Sequence, residues 1–121
     1  MKKICTDIEQ SNKLIELGID MNSADMFWDT LFAKKPEAQV NNHHLVDEYD
    51  DEHRISAWSL SALLELMPLI NHDTVNVFKE EDGTYTALYR YTKGSPVIIK
   101  KESAIDAAFE MIVWLKENEK I

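Results

Sequence analysis

Two apolar blocks constrain this chain more than anything else in it. The first is Trp58-Ser59-Leu60-Ser61-Ala62-Leu63-Leu64-Glu65-Leu66-Met67-Pro68, and the second runs from Ile105 through Ala107, Ala108, Phe109, Met111, Ile112, Val113 and Trp114 to Leu115. Leu60, Leu63, Leu64 and Met67 fall at the i, i+3, i+4, i+7 spacing of one buried helical stripe. Ser59 is placed to cap that helix, and Trp58 to staple it on Leu63. Pro68 disfavours helical geometry at Met67 and ends the run. In the second block Ile105, Ala108, Phe109 and Ile112 make one stripe, and Ala107, Met111 and Trp114 make another beside it. An arc this broad needs cover on two sides. A sheet supplies one side; the first apolar helix or a second subunit supplies the other.

Between the blocks lies a β pattern. Asp82-Gly83 is a two-residue hairpin signal, because both residues tolerate positive φ. Pairing outward from it sets Phe78 against Ala87 and Asn76 against Tyr89 on one face, with Val77 opposite Leu88 and Val75 opposite Arg90 on the other. Lys93-Gly94-Ser95-Pro96 turns the chain again into a third strand at Val97-Ile98-Ile99. The expected fold is α+β: a small antiparallel three-stranded meander over residues 75–99, packed by helices at 59–67 and 104–118. An earlier helix is expected from Asp7 to Leu17, opened by a Thr6/Glu9 capping box and closed by Gly18. Asn22 to Asp25 reads as a turn, Met26-Phe27-Trp28 as the opening of a strand, and His44-Leu45-Val46 as a short strand in an otherwise irregular segment. With 121 residues the chain fits one domain, 1–121, whose core needs neither metal nor disulfide.

Charge narrows the function classes. Twenty-two acids against thirteen bases give −9, which repels phosphate backbones and argues against nucleic acid as a partner. Tyr85, Tyr89 and Tyr91 alternate along one strand and invite comparison with a base-stacking platform, but the expectation is that the last helix covers them. Lys2-Lys3 is not followed by the apolar stretch of a signal peptide, and no run is long enough to span a bilayer, so a cytoplasmic protein is expected. The single cysteine, Cys5, sits near Asp7 and Glu9, which raise a thiol pKa and deter catalysis. Three isolated glycines exclude a phosphate-cradling loop, and no nucleophile elbow is present. His72-Asp73 are adjacent, which seldom lets one side chain orient the other. No cofactor is expected.

The two apolar blocks, with Ser23-Ala24-Asp25-Met26 ahead of them, carry a resemblance. The chain from Asn12 onward resembles small uncharacterised phage and prophage proteins of gut bacteria, which place a proline-terminated helix before a hairpin and a final amphipathic helix. It departs from their pattern at Ala104-Ile105, where a proline is usual. The resemblance implies a mobile-element protein in a bacterial cytoplasm and carries over no catalytic residue.

Three functional readings follow. The leading one is a noncatalytic accessory protein working through protein–protein contacts, including self-association as a homodimer that buries Met111, Trp114 and Leu115. The second is a DNA-mimicking inhibitor of a host nucleic-acid-binding protein, presenting the carboxylates of Asp47, Glu48, Asp50, Asp51 and Glu52. The third is a metal-dependent enzyme in which His43, His44 and His53 join those acids as ligands. Their spacing matches no established zinc arrangement, and a solvated acidic loop explains the same residues.

Overall fold

The last helix, Ala104–Glu117, organises the layers of the computed structural model, which describes residues 3–29, 36–38, 54–67, 74–90 and 94–121. Ser103 caps it, its hydroxyl accepting from the Asp106 amide at 3.0 Å. Seven of its residues are buried: Ile105, Ala107, Ala108, Phe109, Met111, Ile112 and Leu115. Each of the larger ones contributes about 1.5–3 kcal/mol by leaving water.

In chain order the elements are α1 (Ile8–Glu16), a 3-10 turn (Met21–Ser23), β1 (Met26–Asp29), β2 (Glu37–Ala38), β3 (Arg54–Ala57), α2 (Leu60–Glu65), β4 (Thr74–Lys79), β5 (Tyr85–Arg90), β6 (Val97–Lys101) and α3 (Ala104–Glu117). β4-β5-β6 is the expected antiparallel meander. α3 packs on all three of its strands and, on its other side, on α2. The chain thus supplies both covers for the apolar arc from within itself. The class is α+β.

A second antiparallel sheet, in the order β2-β1-β3, occupies part of the stretch expected to be irregular. Met26-Phe27-Trp28 does open a strand, paired with Ala57-Ser56-Ile55. The Arg54 guanidinium lies 4.6 Å from the centre of the Phe27 ring, a cation–π contact across that pair. The expected strand at His44-Leu45-Val46 lies outside the described residues.

Register in the hairpin differs from the expected one by a residue. Phe78 faces Thr86, Val77 faces Ala87, Asn76 faces Leu88 and Val75 faces Tyr89. The loop has three residues, not two: the Gly83 amide donates to the Glu80 carbonyl and the Glu80 amide to the Thr84 carbonyl, with Gly83 at φ +89°. This is a turn closed by a glycine bulge. A one-residue slip exchanges the faces, and the true register gathers Val75, Val77, Ala87, Tyr89, Val97 and Ile99 in or against the core beneath α3.

Two helix details also change. The capping box of α1 is Asp7 with Gln10, each side chain meeting the other's amide at 2.7 and 3.1 Å. Thr6 is buried instead, its hydroxyl sharing a 2.8 Å bond with Ser11 and accepting from the Trp58 amide at 3.0 Å. The Thr6 amide returns a bond to the Trp58 carbonyl. In α2 the buried side is Ala62, Leu63 and the following Met67, while Leu64 stays 41% exposed. Gly18 at φ +90° closes α1, its amide donating to the Ile15 carbonyl and the Ile19 amide to the Leu14 carbonyl. The same double closure ends α3 at Glu119, in the left-handed region at φ 56°.

Replacing Thr6 by Val keeps the shape but strands the Trp58 amide and the Ser11 hydroxyl. It is expected to cost about 2–3 kcal/mol in chemical denaturation. Glu119→Gly relieves a side chain from left-handed backbone and is expected to raise stability by about 0.5–1 kcal/mol, read as a thermal midpoint a few degrees higher.

Candidate functional site

Burial separates the residues singled out from sequence. Met111 and Leu115 are wholly buried within the chain, so they offer no surface to a partner; α2 and the meander already cover α3. Trp114 is half-buried, its ring edge-on to Tyr89 at a centroid distance of 6.0 Å. Tyr89 is itself buried under α3 and Tyr85 half-buried, which removes the stacking platform; Tyr91 lies outside the described residues. His43, His44, His53, Asp47, Glu48, Asp50, Asp51 and Glu52 also lie outside them, as do His72 and Asp73. Among the described residues no three His, Cys, Asp or Glu side chains gather as metal ligands.

Cys5, Ser59 and Ser103 are engaged structurally. Cys5 is buried, and its thiol is pushed up to about 11 by that burial, with the Asp25 and Asp7 carboxylates adding to it. A thiol so protonated is a poor nucleophile. The Ser59 hydroxyl accepts from the Ala62 amide as the cap of α2 and donates to Asp25, whose other oxygen accepts from the Ser59 amide at 2.9 Å. Ser103 caps α3.

The outer face of the meander is different. With the inner positions of β4, β5 and β6 turned to α3, the alternate positions face away from it. An open sheet face is ordinarily polar. Here it carries Phe78 (43% exposed), Leu88 (half-buried) and Ile98 (64% exposed). Leu88 stands directly opposite Ile98, and Phe78 sits two residues along from Leu88's own partner on β4. Cross-strand and diagonal neighbours lie within reach of one another, so the register sets the three in one row. Beside it Leu88, Arg90, Gly94, Pro96 and Ile98 line a shallow depression of 400 Å³.

The charges around this row are not uniform. At the hairpin end Glu80 accepts from the Thr86 hydroxyl at 3.0 Å, and Asp82 pairs with Lys100 at 3.0 Å. Bonds from the Thr84 hydroxyl and amide, with Lys100, hold the Asp82 carboxyl well below the usual range. At the other end of β5 stands Arg90, exposed. The sequence contained the signal for this surface in the Phe78, Leu88 and Ile98 alternation, but the slipped register scattered it across both faces.

A second depression, of 730 Å³, lies where Lys3 meets the start of α3. Lys3 Nζ is 2.6 Å from Asp106 and 3.2 Å from Asp7, and Gln10 Nε2 donates to the same Asp106 oxygen at 2.7 Å. Partial burial works against both charges. It is outweighed: bonds from Lys3, Gln10 and Ser103 hold the Asp106 carboxyl below its ordinary value, and Asp106 with Asp7 raise the Lys3 ammonium. The cluster is a tie between the N-terminal segment and α3.

Its stabilisation is complete between the two ordinary values, 3.8 for the carboxyl and 10.5 for the amine. It fades as pH falls through the lowered Asp106 value or rises through the raised Lys3 value. Asp106→Asn is expected to cost about 0.5–1 kcal/mol near neutrality, since both groups keep water contact and the pair is screened. Thermal melts across pH should show that deficit closing at both extremes. Comparison with known family models, curated proteins and solved structures finds no match for this chain.

Proposed function

We propose that this chain is a noncatalytic accessory protein of a phage or prophage, working in a bacterial cytoplasm by binding protein. The observation that carries the binding role is the Phe78–Leu88–Ile98 row on the outer face of the meander. Contiguous apolar surface on a sheet face is costly in water and is the usual mark of a contact site. The net charge of −9 turns phosphate backbones away and leaves protein as the natural partner. The structural engagement of Cys5, Ser59 and Ser103 supports the noncatalytic part. No helix among the described residues is long and apolar enough to cross a membrane. The mobile-element setting rests on the resemblance of the two apolar blocks.

A photo-crosslinking amino acid at position 98, in a cell carrying the element, is expected to give a discrete protein adduct. The same group at exposed Glu117 should give none. Equal, diffuse labelling from both positions would defeat the reading.

A further inference from the structure

Resting on that protein-contact reading, we infer that the occupant of the outer meander face is a second copy of this chain, docked about a two-fold axis. An isologous contact needs a surface complementary to itself. This face has that character. Among the described residues its apolar row, Phe78, Leu88 and Ile98, runs between the hairpin acids Glu80 and Asp82 and the exposed Arg90 at the far end of β5. Lys100 bonds Asp82 and is also drawn by Glu80, but one cation against two carboxylates leaves this end of the face negative. When two such faces meet with their β5 strands running in opposite directions, Arg90 of each copy comes over the Glu80 end of the other. Row then covers row. Two sheets packed face to face in this way bury side chains from both, as in a sandwich core.

The same geometry disfavours parallel docking, which sets Arg90 on Arg90 and acid on acid. A strongly acidic chain would ordinarily repel its own copies. Here the local pattern reverses that repulsion where the faces touch. Salt screens both the overall repulsion and the local attraction.

Light scattering from low micromolar to sub-millimolar protein, in low salt, should show monomer passing to dimer. Ile98→Asp, at an exposed position, should hold the chain monomeric with an unchanged circular dichroism spectrum. Arg90→Glu should weaken pairing at least about tenfold by setting acid against acid. Combining it with Glu80→Lys restores opposite charges between copies and should recover dimerisation, which a folding defect could not do. A monomer at every concentration, or a dimer indifferent to Ile98→Asp, overturns the inference. If the chain is monomeric while position 98 still crosslinks to a foreign protein, only the second-copy occupant falls. Loss of both signals removes the contact reading as well.

Discussion

The two-sided burial of α3 decides everything else about this molecule. Its seven buried residues among fourteen spread over a broad arc of the helix. It needs a sheet on one flank and a helix on the other, and the meander and α2 are each too small to be stable alone. None of the three is an independent unit. Their mutual burial holds α2, only six residues long, in helical form. It also places Met111 and Leu115 at the centre, where sequence reading had put an interface. With α3 consumed internally, Phe78, Leu88 and Ile98 remain on the far side of the sheet that covers it, while Ile4, Ile8, Met21 and Leu64 are exposed elsewhere.

A second set of constraints, polar and buried, ties the N-terminal segment and the first sheet to this core. Thr6 and Trp58 exchange backbone and hydroxyl bonds, the Trp58 indole donates to Ser23, and the Trp28 indole donates to the Thr6 carbonyl. Among the described residues no buried side-chain nitrogen or oxygen is left without a partner. Complete satisfaction matters because each unmet group in such a place costs about 1–3 kcal/mol. Hydrophobic burial makes the core; these bonds give it one arrangement. Asp25 extends the same logic outward, doubling the cap on α2 through both atoms of Ser59 that can donate.

What could be read from the sequence followed from strong local signals. The α3 stripe, the Ser59 cap, the Gly18 stop and the three meander strands each rest on residues within a few positions of one another. Errors arose where a distant partner decides the outcome. Thr6 looks like a helix cap until Trp58, fifty-two residues away, claims its hydroxyl. Leu64 fits the buried stripe by spacing, yet α3 covers α2 from the Leu63 side and leaves it exposed. β3 is a four-residue strand whose identity depends on pairing with β1. The hairpin is the instructive case. Asp-Gly suits both a two-residue loop and a three-residue loop with a glycine bulge, and the choice moves every side chain to the opposite face. Burial breaks the tie: only the longer loop puts Val75 and Val77 with Ala87 and Tyr89, toward α3.

The corrected faces also separate two ways in which a small sheet can meet a partner. Adding a strand to an edge needs a flat, open row of backbone groups, and β6 is poorly suited to offer one. It follows Gly94-Ser95-Pro96 and ends in Lys100-Lys101, and charged or proline-bearing edges are how natural sheets resist extension. Pairing of β6 with the opposite edge, β4, of another copy would extend without limit, because a free edge is always regenerated. Contact through a face closes after one partner. The lysines of β6 thus disfavour strand addition at that edge, while Phe78, Leu88 and Ile98 lie on the adjoining face. Lys100 serves both ends at once: it charges the edge strand, and its bond to Asp82 braces the hairpin that frames the apolar row.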